Sequence, residues 1–440
     1  MTPANRPFHV TAKPAGPLCN LDCAYCFYLQ KEALYPGRPV KAGWTMPDEV
    51  LEAFVRDYIA SQLGDDVTFT WQGGEPTLLG IGFFRRVVAL QQRYAEGRRI
   101  DNALQTNGVL LDAEWGAFLR EHDFLVGVSI DGPRELHDRY RTDKGGQPTF
   151  DAVVRGVRVL QASGVTFTTL TVVHGDNARR PIDVYDFLVD LGSRFLQFIP
   201  LVERVGEPGR HQGPALAPPE TIVAPVTPWS VRPDDYGSFL CAVFDRWVRR
   251  DVGRVAVQVF EVALESWLGL PQSVCLFRET CGDAMALEHN GDVYACDHYV
   301  YPAHRVGHVL DRSLSTLLAS PAQRRFGDAK RDALPGECRH CGVRFACHGE
   351  CPKNRFAVTS SGEQGLNHLC PAYKRFFTHV DPYMRFMAGR VSEGRPAADV
   401  MPWARRRDAE RVGRIDPCPC GSGREHARCC GRGVEFDNRA

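Results

Sequence analysis

The chain has little lysine, seven residues against 46 arginines in 440 positions, and this lopsidedness reads as coding bias rather than function. Neither charge sign is in excess, with Lys+Arg 53 and Asp+Glu 53. No net pull toward nucleic acid or an anionic membrane is therefore expected. Continuous apolar stretches long enough for a transmembrane helix are missing, and the opening Met1-Thr-Pro-Ala-Asn-Arg holds no apolar signal core. No cysteine lies between 27 and 240, and no histidine between 10 and 121. What is plentiful is cysteine, sixteen in all. The expected setting is the cytoplasm, where thiols stay reduced, so disulfides are poor candidates. The cysteines are then metal ligands, catalysts or packing, and their spacing decides which. Hydrophobic content of 44% and charged content of 24% suit an ordinary globular protein of two or three domains.

The cysteine-free stretch has a rhythm of its own. Short apolar, β-branched runs recur at Phe8–Ala12, Val67–Trp71, Ile100–Gln105, Phe124–Ile130, Thr166–Val173 and Phe195–Ile199. Amphipathic stretches lie between them near 47–62, 82–96, 112–121, 150–162 and 182–191. Six strands alternating with helices predict an α/β fold of parallel βα units, either a doubly wound sheet or a partial barrel. Both folds bind ligands at the carboxyl ends of their strands. There the sequence places Trp71-Gln72-Gly73-Gly74-Glu75-Pro76, Gln105-Thr-Asn107-Gly108 and Ser129-Ile-Asp131-Gly132-Pro133. A helical pair is expected at 235–250 and 257–269.

Cys19, Cys23 and Cys26 sit in the loop after the first expected strand. Three thiolates from one loop hold three irons of a [4Fe–4S] cluster and leave the fourth open; a ferredoxin-type run would supply a fourth cysteine nearby. A structural zinc would also need a close fourth ligand. Cys19-Asn-Leu-Asp-Cys23-Ala-Tyr25-Cys26 resembles the signature of the radical S-adenosylmethionine (AdoMet) superfamily, and Gly73-Gly74-Glu75-Pro76 resembles its glycine-rich motif. The resemblance implies a partial (β/α)6 TIM-type barrel, AdoMet chelated by the open iron, and cleavage to a 5′-deoxyadenosyl radical.

Eight cysteines follow between 275 and 370, enough for two tetrathiolate clusters. Two zinc ribbons would satisfy the spacing equally, but the redox chemistry expected of the barrel favours iron–sulfur. The pattern resembles the SPASM domain of radical AdoMet enzymes that modify peptides. By that resemblance Cys275, Cys281, Cys296 and Cys351 hold an inner auxiliary cluster, and Cys338, Cys341, Cys347 and Cys370 an outer one. Both are expected to transfer electrons.

Over residues 6–385 the resemblance narrows to anaerobic sulfatase-maturating enzymes. It is carried by Cys26-Phe-Tyr28, Gln72-Gly-Gly-Glu-Pro76, Ser129-Ile-Asp-Gly132, Phe195-Leu-Gln-Phe-Ile199 and Tyr294-Ala-Cys296-Asp297-His-Tyr-Val300. It implies oxidation of a sulfatase cysteine or serine to Cα-formylglycine. Asp297 then takes the proton, its carboxyl expected to be raised by burial, and the neighbouring inner cluster accepts an electron. Tyr25, Gly74, Ser129, Arg141 and Leu196 are the implied AdoMet contacts, and Tyr28 helps shape the peptide site. Cys241 reads as a packing cysteine. The implied partners are a sulfatase polypeptide and a reductant such as flavodoxin or ferredoxin, with neither nucleic acid nor membrane.

Cys418, Cys420, Cys429 and Cys430 close the chain in a segment that resembles the SEC-C motif. That implies one Zn2+, with His426 an alternative ligand, and a docking partner protein. The expected organisation is a radical AdoMet barrel over 1–230, a helical connection over 231–274 and a two-cluster SPASM domain over 275–390. A solvated linker over 391–413 and the zinc motif over 414–434 follow. The competing readings are a radical enzyme forming thioether or carbon–carbon crosslinks on a ribosomal peptide, and a non-enzymatic zinc scaffold.

Overall fold

Residues 4, 6–35, 44–207, 215–221, 223–409 and 411–432 are described in this computed structural model. The alternating apolar runs become β1 (His9–Lys13), β2 (Asp66–Trp71), β3 (Arg99–Thr106), β4 (Leu125–Ser129), β5 (Phe167–Val173) and β6 (Phe195–Pro200). The crossovers carry α1 (Asp48–Ser61), α2 (Gly80–Tyr94), α3 (Ala113–Glu121), α4 (Arg134–His137), α5 (Phe150–Ala162) and α6 (Pro181–Asp190). These helices form because one face is apolar: α5 buries Val153, Gly156, Val157 and Leu160, at i, i+3, i+4 and i+7. The strands pair in parallel in chain order from β1 to β6. An order without reversal rules out double winding, and right-handed crossovers then keep the helices on one face of the sheet.

After α7 (Pro233–Arg250), β7 (Ala256–Val257) and α8 (Gln258–Trp267), the chain returns to the far side of the sheet. There β8 (Ala284–Glu288) pairs in parallel with β1, setting Lys13 beside Glu288. β9 (Asp292–Tyr294) and β10 (Arg305–His308) continue antiparallel. The result is an open, mixed, ten-stranded sheet with β10 and β7 at its edges. The cysteine-rich segment is thus built onto the first strand.

Short helices α9 (Leu314–Leu318), α10 (Pro321–Asp332), α11 (Gly336–Arg339) and α12 (Arg344–Cys347) and the hairpin β11 (Ala357–Val358)–β12 (Gln364–Leu366) follow. The long α13 (Cys370–Ser392) packs on α7 and α8. One apolar core runs from Phe54 of α1 and Phe69 and Trp71 of the sheet to Phe244, Phe260 and Phe376 between these helices. Polar groups inside it pair with one another: Trp71 Nε1 donates to Asn102 Oδ1 at 2.8 Å, and Asn102 and Gln91 bond each other.

Residues 391–413 are not a solvated linker. They hold α14 (Val400–Ala409), which buries Val400 and Ala404. Arg249 of α7 forks onto Asp408 at 2.6 and 2.9 Å. The arginine-rich composition concealed an i, i+4 apolar pair and a buried ion pair. Among the described residues no helix is long and apolar enough to cross a membrane.

Candidate active site

The loops at the carboxyl ends of the strands enclose a cavity of about 210 Å3. Cys19, Cys23 and Cys26 line it together with Gly74, Tyr25, Tyr28, Ser129 and Arg141. The cysteine loop and the glycine motif are fitted to each other. Gly74 N–H donates to the Gly16 carbonyl at 2.8 Å and Glu75 N–H to that of Leu18 at 2.7 Å. A Cβ at Gly74 would fall 1.9 Å from the Leu18 oxygen, so only glycine allows this approach. The buried Glu75 carboxylate accepts from Thr77 N at 3.0 Å, Thr77 Oγ1 at 2.6 Å, Thr106 Oγ1 at 2.8 Å and Asn107 N at 2.7 Å. It ties the ends of β2 and β3 together. Burial pushes Cys23 up to about 12, so its thiolate forms only when a bound metal supplies the compensating charge.

Asp131, fully buried after β4, organises the next wall. Arg141 reaches it through Nε at 2.9 Å and Nη2 at 3.3 Å, Val172 N–H donates at 3.0 Å, and the Tyr25 hydroxyl donates as well. Burial alone would raise this carboxyl, but the Arg141 guanidinium outweighs it and holds the group below the usual carboxylate range. Ser129 Oγ accepts from Gln105 Nε2 at 3.0 Å. Leu196 does not join these residues. It is fully buried in the core, while Ile199, Pro200 and Leu201 line the cavity. With a side-chain period of two, Gln197 and Ile199 share one face of β6 and Leu196 the other.

Asp297 follows Cys296, and its Oδ1 lies 2.5 Å from Lys13 Nζ. The expectation of a raised carboxyl is reversed. Burial does push it up, but Lys13, helped by His298 and Lys31, holds it below its ordinary value. Lys13, 2% exposed, also donates to Gln72 Oε1 at 3.2 Å and sits 4.7 Å above the Tyr28 ring. The Tyr28 hydroxyl donates to Glu288. Lys13 and His298 line the cavity, and burial lowers His298 to about 4. An ion pair from Glu203 after β6 to Lys353 joins two further wall residues.

None of the sixteen cysteines is in a disulfide. Cys338, Cys341, Cys347 and Cys370 line one small cavity. Cys275, Cys281, Cys296 and Cys351 are electrostatic neighbours, and Cys351 reaches the main cavity. Both interleaved sets are thus brought together. Cys241 is buried in α7. The thiols of Cys418, Cys420, Cys429 and Cys430 lie within 4.8 Å of one another. Tetrahedral zinc, with bonds of about 2.3 Å to sulfur, fits such a quartet after slight closure.

Lys13, Glu75, Asp131, Glu203 and Lys353 were not singled out from the sequence for the roles they hold here. Glu75 and Asp131 stood inside the quoted motifs. The scarcity of lysine was a usable signal for Lys13 and Lys353.

Three family models match the chain: the radical SAM superfamily at residues 14–188, an iron-sulfur cluster-binding domain at 275–342 and the SEC-C motif at 416–432. The chain is 43% identical to a serine-type anaerobic sulfatase-maturating enzyme of Bacteroides thetaiotaomicron, over 91% of this chain and 95% of that protein. It is 34% identical to a cysteine-type enzyme of Clostridium perfringens, over 88% and 99%. The solved structure of native anSMEcpe with bound AdoMet and Cp18Cys peptide superposes with a TM-score of 0.75 at 33% identity, covering 88% of this chain and 100% of that one.

Proposed function

The chain belongs to the anaerobic sulfatase-maturating enzymes, and from this we propose that it oxidises a cysteine or serine of a sulfatase polypeptide to Cα-formylglycine. The observation that carries the proposal is a single cavity lined by the Cys19–Cys23–Cys26 loop and by Cys351, with Lys13 at its wall paired to Asp297. A likeness to solved AdoMet- and peptide-bound relatives at a TM-score of 0.75 supports it, as does a singly wound parallel sheet, the winding of a partial (β/α)6 barrel.

Three [4Fe–4S] clusters would be held by Cys19, Cys23 and Cys26, by Cys275, Cys281, Cys296 and Cys351, and by Cys338, Cys341, Cys347 and Cys370. Cys418, Cys420, Cys429 and Cys430 would hold Zn2+. Among the described residues only that last quartet is compact enough for one ion, and the wider sets suit the corners of an iron cube. When bound, the clusters and AdoMet supply the radical that removes a substrate Cβ hydrogen and the sink for the remaining electron.

The chain's own residues do the rest. Tyr25 and Arg141, fixed on Asp131, together with Ser129 and the Gly74 backbone, form the wall against which AdoMet would be oriented. Tyr28, held by Glu288, shapes the peptide side. Lys13 keeps Asp297 ionised. Loss of the Cβ hydrogen acidifies the adjoining S–H or O–H, so a carboxylate held ionised accepts that proton without needing a raised pKa. A reducing compartment such as the cytoplasm and a reductant such as flavodoxin or ferredoxin suit these parts. A partner protein for the zinc tail completes the proposal.

Anaerobic incubation of the reduced enzyme with AdoMet and a Cys-x-Pro-x-Arg or Ser-x-Pro-x-Arg peptide tests this directly. Formylglycine and 5′-deoxyadenosine should appear together. Deoxyadenosine without peptide oxidation would reject the assignment.

A further inference from the structure

The cysteine tail does not hang free of the body. Arg246 of α7 holds Asp186 through two bonds, at 3.0 and 2.6 Å, and donates from Nη1 to Cys420 Sγ at 3.4 Å. Gly421 packs on Ile182 so closely that a Cβ there would lie 3.0 Å from Ile182 Cγ1. A cleft of about 660 Å3 remains between the tail and helices α6, α7 and α14. Arg246, Arg250 and Arg405 line it from the helices, and Arg424, Arg428 and Arg432 from the tail.

Two carboxylates share this lining, and both are already engaged: Asp186 by Arg246 and Asp183 by Arg180 at 2.7 Å. Arg428 faces Glu425 at 3.2 Å. Arg405 donates to the Arg249 carbonyl at 2.9 Å. Among the described residues Arg250, Arg405, Arg424 and Arg432 have no carboxylate partner in the ion pairs found. Among the described residues Asp186 matches Arg246 and Glu425 matches Arg428, which leaves four of the six lining guanidiniums without a carboxylate. A zinc tetrathiolate carries two negative charges and cancels half of these, so about two remain uncompensated. Guanidiniums on both walls suit bidentate capture of carboxylates.

We propose that this cleft binds an acidic polypeptide segment and that the zinc-folded tail completes it. A nucleic-acid surface would offer a long basic stripe and aromatic stacking platforms. This site is concave and of pocket size and, among the described residues, has two acids in its wall and no aromatic side chain in its lining. The choice of a polypeptide rests on the reading that the enzyme works on protein chains. A segment held here would raise the effective concentration of a modification motif on the same protein.

The test uses the full chain with its metals bound and a fluorescein-labelled twelve-residue Glu-Gly repeat, followed by anisotropy. Saturable binding that weakens as salt rises is expected. Arg250→Glu, outside the tail, and Arg424→Glu should each weaken it about tenfold with zinc content unchanged. Cys429→Ser/Cys430→Ser should remove zinc and binding together. Formylglycine formation on a short motif peptide should be unaffected by Arg250→Glu, so a failed cleft and a failed enzyme assignment give different results. Equal binding by the Arg250→Glu protein, equal binding of a Lys-Gly repeat, or tighter binding of a single-stranded oligonucleotide would each overturn the proposal.

Discussion

Replacing Lys13 by methionine removes the cation that faces Asp297 while keeping an unbranched chain of similar length. Lys13 Nζ is 2.5 Å from Asp297 Oδ1, with the lysine side chain 2% and the aspartate 26% exposed. Breaking a fully buried pair costs about 3–5 kcal/mol, because the remaining charge is stranded. The partial exposure of Asp297 lets water recover some of this, so about 2 kcal/mol is expected. Charged to the step in which Asp297 accepts the proton, that is about a 30-fold loss of formylglycine formation. Deoxyadenosine release should persist, because among the described residues the Lys13 side chain makes its hydrogen bond and ion pair to Gln72 and Asp297 and not to Cys19, Cys23 or Cys26. The assay follows both products in one anaerobic incubation, at matched iron content. Lys13→Met/Asp297→Asn should be no slower than the slower single variant, because the two act as a unit. Full formylglycine yield from Lys13→Met, or losses that multiply in the double variant, would refute the reasoning.

Three further substitutions probe the frame around the site. Gly74→Ala sets a Cβ 1.9 Å from the Leu18 oxygen; a cost of about 3 kcal/mol or more is expected, read as lost iron and cluster absorbance. Leu196→Ala, in the core rather than the cavity wall, should destabilise by about 2–5 kcal/mol in denaturant melts and leave AdoMet affinity unchanged. Asp408→Asn removes the carboxylate shared by Arg249 Nε and Nη2 and leaves Asp245 as that guanidinium's one acid, at 2.9 Å; it should loosen α14 by about 2 kcal/mol, seen as faster proteolysis between α13 and α14.

Much of the frame was legible because it is written in short windows. All six strands lie within one residue of their expected ends, since period-two runs between helical stretches need only local information. The eight middle cysteines were legible as a group for a related reason, through a spacing pattern, and the structure places Cys338, Cys341, Cys347 and Cys370 around one small cavity. Leu196 shows the limit of this reading: it lies in the core, while Ile199, three residues further along the same strand, lines the cavity, and which end and face of a strand meet a cavity is set by the packing of the whole sheet. Asp297 shows another, since burial set the expected direction of its pKa and an unforeseen lysine reversed it.

The lysine shortage carried more than coding bias. Four of the seven lysines sit at or near the site. Lys13 pairs with Asp297 and Lys353 with Glu203. Lys330 donates to the carbonyls of Cys275 and Leu276 at 2.6 and 2.8 Å. Lys31, lowered to about 7 by burial, lies 3.2 Å from the Tyr301 ring centroid.

By itself the sequence determined the α/β repeat, the cysteine spacing and the family, because period, spacing and motif are properties of neighbouring residues. Tertiary structure alone decided that β8 lies on β1, which brings Asp297 to a lysine 284 positions earlier. It also decided that Arg246 and Cys420 meet, 174 positions apart. No window of sequence holds both partners of such contacts; they exist only once sheet order and helix packing have been chosen for the whole chain.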